Sequence, residues 1–229
     1  MRLLLIGCEY VGANTLGRAI HQWMKDVQKI DLGSVHAHWK VPNTILHYPD
    51  ELSDQEYQSI LALSKTILEA NQRHNLYYHA PAAPADWDQM LIGHYIENQI
   101  YAELYYLWYG YGGVGQTDVR IIPHSKGLED RILQYAPHTV LILLKAAPET
   151  IAKRMRTNPH KYPVVPEKDI QLVSRRFEEE YNKAKFTHKF TLDTSTATVE
   201  ETLAEFIEKI QPHLTPTDLK RMAASNKKA

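Results

Sequence analysis

Two glycines, Gly7 and Gly12, stand between an apolar run, Arg2 to Ile6, and a stretch in which Leu16, Ala19, Ile20, Trp23 and Met24 fall on one helical face. A buried strand that turns through glycines into a helix can aim successive peptide N–H groups at one anion, and the helix N-terminus adds its partial positive charge. The chemistry this predicts is phosphate binding by the backbone of Gly7, Gly12, Ala13, Asn14, Thr15 and Leu16. The same glycines would also serve a strand that merely needs to turn, so residues elsewhere must decide. Cys8, the single cysteine, lies inside the turn. A helix N-terminus lowers a thiol's pKa, but no histidine or lysine adjoins Cys8, and it reads as a small loop residue.

Further groups stand at chemically useful spacings. His36 and His38 alternate along a short β-rich stretch and so share one face. His94, Glu97 and Tyr101 share one face of a predicted helix. Either set reads as a row turned to a small-molecule substrate or as the polar edge of a packed element. Metal ligation by His36 and His38 with His47, His79 or His94 is the less economical reading, because twelve histidines make chance pairs common; no side chain is assigned to a metal. Arg154, Arg156, Arg175 and Arg176 can carry phosphate charge or simply decorate solvated helices. Arg154 and Arg156 cannot share a helix face, so one of them is expected to act with Arg176 or Arg175.

The elements that must position these groups alternate. Strands are predicted at Arg2–Ile6, Ser34–Trp39, Met90–Gly93, Thr139–Leu144 and Lys189–Leu192. Helices are predicted from Ala13 to about Gln28, and from a Ser53–Glu56 capping box to about Asn71. Others are predicted over Tyr95–Tyr106, Lys126–Tyr135, Pro148–Arg156, Glu167–Lys185, with Leu172, Val173 and Phe177 buried, and Val199–Ile210. Alternation implies a three-layer α/β/α sandwich with a central parallel sheet, right-handed crossovers and ligands at the carboxyl ends of the strands. One domain is expected over residues 1–211, with a proline-bearing excursion at Thr157–Pro166 and a partly disordered tail over 212–229. The glycine- and aromatic-rich stretch 108–115 reads as a surface loop near a ligand.

With 26 basic and 27 acidic residues the formal charge is −1, which gives no electrostatic case for a nucleic-acid surface or a polybasic membrane patch. No apolar run reaches membrane-spanning length. One cysteine excludes an internal disulfide, so a reducing, cytoplasmic compartment is expected.

GCEYVGANTL resembles a P-loop, and the order of features resembles the P-loop nucleoside and nucleotide kinases, thymidylate kinase in particular. LIGHYIENQIYAELYY lies where that family has a strand ending in Asp-Arg-Tyr. LILLKAAPETIAKRMR is similar to its strand, turn and helix ending in arginines at the base of a lid. The lid itself corresponds to about residues 157–185, and KFTLDTS is similar to the closing strand whose following turn lies near the adenine. The resemblance implies ATP and Mg²⁺ as cofactors and phosphoryl transfer to a nucleoside, nucleotide or other small-molecule acceptor. It implies positioning and charge neutralisation rather than covalent chemistry. Arg154, Arg156 and Arg176 would carry developing charge, Glu9 would orient the acceptor hydroxyl as base, and two copies would pair through helices. The chain also departs from the family. The pattern wants lysine at 13 and Ser or Thr at 14, where Ala13 and Asn14 stand with Thr15 behind, and Gly93-His94 replaces Asp-Arg. Either another cation compensates, with Lys40 and Arg18 as candidates, or the chain is a catalytically impaired relative that binds a nucleotide as a sensor or partner.

Overall fold

The computed structural model describes residues 1–32, 35–37, 53–64, 67, 74, 76–84, 88–105, 121–160 and 163–226, with the backbone alone at 35–37, 57, 60, 61, 102, 121–126, 225 and 226. Strand β1 (Arg2–Ile6) is buried at every position, as a strand covered on both faces must be. It lies between β3 (Gln89–Ile92) and β4 (Val140–Lys145). Strand β2 (Val35–Ala37) lies outside β3, and β5 (His188–Asp193) outside β4. All four pairings are parallel, giving one sheet in the order β2-β3-β1-β4-β5.

Helices α1 (Ala13–Asp26), α2 (Asp54–Leu61), α3 (His94–Leu104), α4 (Ile121–Tyr135), α5 (Pro148–Thr157), α6 (Ile170–Lys183), α7 (Val199–Ile210) and α8 (Pro216–Asn226) connect and cover the strands. Helix α1 packs on α7 to form one layer, and α3 packs on α4 and α6 to form the other. Helix α1 buries Leu16, Gly17, Ile20 and Met24. Each large apolar side chain so buried contributes roughly 1.5–3 kcal/mol, which fastens the helix, and the turn before it, to the sheet. Among the described residues no helix is long and apolar enough to cross a membrane.

Several boundaries and placements differ from the sequence reading. Helix α4 starts at Ile121 rather than Lys126, because Pro123 falls in the first turn, where no N–H has an intrahelical acceptor. Helix α6 follows a 3₁₀ turn at Glu167–Asp169 and buries Ile170, Val173 and Phe177. Leu172, expected inside, is 36% exposed because it is rotated away from its neighbour Val173. The capping box of α2 is present: Ser53 N–H donates to Glu56 Oε2 at 2.8 Å and Glu56 N–H to Ser53 Oγ at 3.3 Å. The expected loop at 108–115, the rest of the second predicted helix beyond residue 67, and His38, Lys40 and His47 lie outside the described residues.

The tail over 212–229, expected to be partly disordered, carries helix α8 at Pro216–Asn226. Thr215 and Asp218 cap it reciprocally: Thr215 N–H donates to Asp218 Oδ2 at 3.0 Å and Asp218 N–H to Thr215 Oγ1 at 3.1 Å. Pro216 takes the first helical position. That signal stood in the sequence as a capping box with Asp in place of Glu or Gln. Asp218 Oδ1 also accepts from the Met1 amino group at 2.6 Å and from Arg221 at 2.7 Å, which ties α8 to the start of β1. Burial opposes the charge on Asp218, but the Met1 amino group and the hydroxyl and amide of Thr215 outweigh it and hold the carboxyl below its ordinary range. A depressed carboxylate stabilises the fold above its unfolded value of 3.8 and loses that contribution as pH falls below it. Asp218→Asn is therefore expected to lower Tm at neutral pH and to flatten the acid-side decline below about pH 5. Scanning calorimetry across that range checks it, and an unchanged acid slope would rule the clamp out.

Candidate functional site

Gly7 leaves β1 where no side chain fits. A Cβ there would stand 2.7 Å from the Leu144 carbonyl oxygen and 2.8 Å from Val11 Cγ2. Gly12 closes the turn at φ 92°, in the left-handed region, and is the N-cap of α1 without a side-chain cap. Inside the turn the Val11 N–H donates to Cys8 O at 3.1 Å, and Gly12 O takes the first helical bond from Leu16 N–H at 2.9 Å. The Glu9 N–H donates to the Tyr101 hydroxyl at 3.0 Å. Among the described residues the amides of Tyr10, Gly12, Ala13, Asn14 and Thr15 meet no acceptor.

The carbonyl side of the turn is held from outside. Thr194 Oγ1, just past β5, donates to Val11 O at 2.7 Å. Arg154, on α5, donates to Tyr10 O at 3.1 Å, to Thr194 O at 2.6 Å and to Thr194 Oγ1 at 3.2 Å. A trans peptide points its C=O and N–H in opposite directions, so fixing Val11 O on Thr194 turns the Gly12 N–H the other way. The result is a preset row of amides at a helix N-terminus, a geometry that binds phosphate or another anion.

The turn lines a cavity of about 610 Å³, within the range of small-molecule sites. Ile92, Gly93 and Glu97 bound it on the β3 side, and Arg154, His160 and Thr198 on the other. All six residues expected to form the cradle line it, as does Glu9. Of the arginines only Arg154 does so. Arg156 is exposed and paired with Glu167 at 2.5 Å, Arg175 is exposed beside Glu179, and Arg176 bridges α6 to Glu103 of α3 at 2.5 Å. Arg18 is exposed on α1.

The predicted row on α3 divides. Glu97 reaches the cavity. Tyr101 is fully buried and braces the turn through its hydroxyl. His94 is fully buried at φ 45°, with Nε2 3.0 Å from Leu76 O. His36 stands on strand β2 in register with Leu91.

Burial pushes the Cys8 thiol up to about 12, and the nearby charges of Glu9 and Glu97 act in the same direction. A thiol so placed carries almost no thiolate at neutral pH. Alkylation of Cys8 by iodoacetamide at pH 8 is expected to be at least about 100-fold slower in the folded than in the unfolded chain. Mass spectrometry of timed samples measures it, and comparable rates would contradict the burial.

Glu9 is positioned in a way the sequence did not signal. Its Oε2 accepts from the N–H groups of Val164 at 2.8 Å and Val165 at 3.0 Å, and its Oε1 lies 2.6 Å from His160 Nδ1. The neighbouring Tyr10 ring stacks on His160 with centroids 3.9 Å apart, and the His160 N–H donates to the Tyr10 hydroxyl at 2.7 Å. Both carboxylate oxygens thus hold a strap from α5 to the 3₁₀ turn across the glycine turn. These contacts are the ones described for Glu9, which also lines the cavity.

The parallel sheet, the glycine turn opening α1 and the strap after α5 together define a P-loop kinase-like α/β fold. Solved structures of nucleoside and nucleotide kinases share it. Deoxyadenosine kinase from M. mycoides, with bound dATP, superposes with a TM-score of 0.61 at 14% identity over 92% of this chain and 99% of that one. The YorR protein of Bacillus subtilis, in complex with phosphorylated GDP, gives 0.54 at 15% identity over 93% and 99%. Thymidylate kinase from Candida albicans gives 0.54 at 14% identity over 96% and 93%. No family model matches the sequence, and no curated protein matches it by sequence.

Proposed function

We infer that the chain binds ATP at the glycine turn and transfers its terminal phosphoryl group to a nucleoside, a nucleotide or another small acceptor. The observation that supports this best is the set of amides at Tyr10, Gly12, Ala13, Asn14 and Thr15 without an acceptor among the described residues. They line a cavity of nucleotide size at a helix N-terminus. In this reading the amides orient the phosphates, Arg154 keeps the turn open and adds positive charge, and the strap excludes water. Mg²⁺ fits the carboxylate of Glu97 and the hydroxyl of Thr15, both at the cavity, and would neutralise charge on the phosphates.

A second reading, nucleotide binding without turnover, is favoured by Ala13 and by the protein acceptors that already engage Arg154. Calorimetric titration with ATP, with and without Mg²⁺, tests what the two share, and no heat in either condition refutes both. Product formation across a panel of nucleosides and nucleotides separates them. Under the second reading Ala13→Lys changes affinity without creating turnover, and a large gain in rate would point to an enzyme lacking one part.

A further inference from the structure

At the amino ends of β4 and β5, the end of the sheet away from the glycine turn, histidines from separate segments meet. His188 opens β5, and His213 closes a 3₁₀ turn, Gln211–His213, between α7 and α8. Their Nδ1 atoms stand 3.3 Å apart, with ring centroids 5.5 Å apart and ring planes at 85°. The His213 ring stacks on Phe190, two residues further along the same face of β5, with centroids 5.6 Å apart and planes at 19°. Strand pairing therefore fixes one nitrogen and ring stacking holds the other. Neither histidine is among the residues that line the cavity at the glycine turn.

Two neutral imidazoles so placed can share one hydrogen, but their separation exceeds the about 2.9–3.0 Å usual for an N–H donor. It matches the spacing of two nitrogens on one cation. Nitrogens each about 2.0–2.1 Å from a tetrahedral zinc ion stand about 3.3–3.4 Å from one another. Imidazole suits Zn²⁺, Ni²⁺ and Cu²⁺, whereas Mg²⁺ takes oxygen ligands. Both rings are half-buried, so a hydrated ion can reach them. Binding uses both Nδ1 lone pairs. The ring that donated its Nδ1 proton regains one from water at its own Nε2, and the count of ring protons is unchanged. Neither Nε2 is a buried nitrogen lacking a partner, so each can present its N–H to solvent. His138, exposed at the turn before β4, brings a further ring alongside, its centroid 5.7 Å from that of His188. Among the described residues no three His, Cys, Asp or Glu side chains are gathered for a metal, so water completes the shell.

We propose that His188 and His213 bind a transition-metal cation of the Zn²⁺ type through their Nδ1 atoms. The ion would join the first residue of β5 to the turn that leads into α8, the helix clamped on the start of β1. A ligand that binds only the folded chain stabilises it, so the ion would fasten the carboxyl-terminal segment to the sheet. The site is independent of the nucleotide reading.

The test is calorimetric titration of the full chain with ZnCl₂ in a non-chelating buffer without nucleotide, with thermal unfolding of each variant in zinc and in EDTA. The wild-type chain is expected to bind a zinc ion that His188→Ala and His213→Ala each weaken about tenfold or more. With zinc about 20-fold above its Kd, the wild-type Tm is expected to rise by roughly 3–7 °C, and that rise is expected to vanish in both variants. Each rise is read within one variant, so packing lost with a ring does not enter it. MgCl₂ is expected to reproduce none of the histidine-dependent binding. The proposal is overturned if zinc affinity and the zinc-dependent rise in Tm are the same in both variants as in wild type, or if the wild-type chain binds no zinc. Loss in only one variant also overturns it, since the ion then takes a different second ligand. Should a variant not fold, the ring C–H resonances of His188 and His213 in the wild-type chain decide. They are expected to shift together over one zinc titration, and resonances that stay in place or shift separately refute the shared ion.

Discussion

Arg154→Ala is expected to weaken ATP binding on the order of 10–100-fold and to lower stability by about 2–3 kcal/mol. The guanidinium spans the Tyr10 carbonyl of the glycine turn and the Thr194 carbonyl after β5. Its removal leaves two part-buried acceptors without their charged donor, which costs more than an ordinary hydrogen bond. The consequence for binding follows from peptide geometry. With Arg154 gone, Thr194 loses the contacts that Arg154 makes to its carbonyl and hydroxyl oxygens, so the hydroxyl that holds Val11 O, and through it the direction of the Gly12 N–H, is less fixed. For a domain of this size the stability loss corresponds to about 5–10 °C in Tm. Arg154→Lys keeps the positive charge but lacks the fork that reaches two oxygens. It is expected to recover part of the affinity and little of the Tm. Burial lowers the Arg154 pKa, yet a guanidinium stays charged across the accessible range, so no pH dependence near neutrality is expected from it. Calorimetric Kd values and thermal scans check both parts. ATP affinity within twofold of wild type in Arg154→Ala would remove this residue from the site.

The parts of the fold that were legible in the sequence are those with local periodic signals. Buried strands such as Val140–Leu144 announce themselves as apolar runs, and Val199–Ile210 carries both a helical stripe and the Thr198–Glu201 capping box seen at its start. The glycine turn before α1 was legible for the same reason, since glycine spacing reports on turn geometry. The rest depends on contacts between segments far apart in the chain. Nothing in the residues around Glu9 signals that its carboxylate meets Val164 and Val165, and nothing around Tyr101 signals that its hydroxyl holds the Glu9 amide. Helical spacing put His94, Glu97 and Tyr101 on one face correctly. It could not tell that this face is mostly interior, so that a row suggestive of substrate contact became one cavity residue and two buried supports. The arginines show the same limit. Sequence fixes their charge, but whether each meets a phosphate, a carbonyl or a glutamate is decided by packing. Arg176 pairs with Glu103 across two helices that no local pattern links.

Glu9→Gln is expected to loosen the strap and leave the fold otherwise intact. The carboxylate accepts two backbone N–H groups on one oxygen and approaches the His160 ring on the other. An amide has a single accepting oxygen, so either the valine amides or the His160 contact must face an NH₂ group instead. Val165 is buried, and leaving its N–H without an acceptor costs about 1–3 kcal/mol. Hydrogen exchange at Val164 and Val165 is expected to accelerate about 10–100-fold while amides of the central sheet stay protected. Protease cleavage within 158–166 should rise in parallel. Glu9→Asp, which keeps the charge but falls short of the strap, is expected to behave like Glu9→Gln rather than like wild type. The same pair of variants weighs the strap against the role of base. A carboxylate that abstracted the acceptor's proton would, once replaced by Gln, depress kcat and leave exchange at Val164 and Val165 unchanged. A carboxylate that holds the strap changes exchange first, and affects turnover only as far as water enters the cavity. Unaltered exchange in both Glu9→Gln and Glu9→Asp would therefore dismiss the strap and return Glu9 to the chemistry.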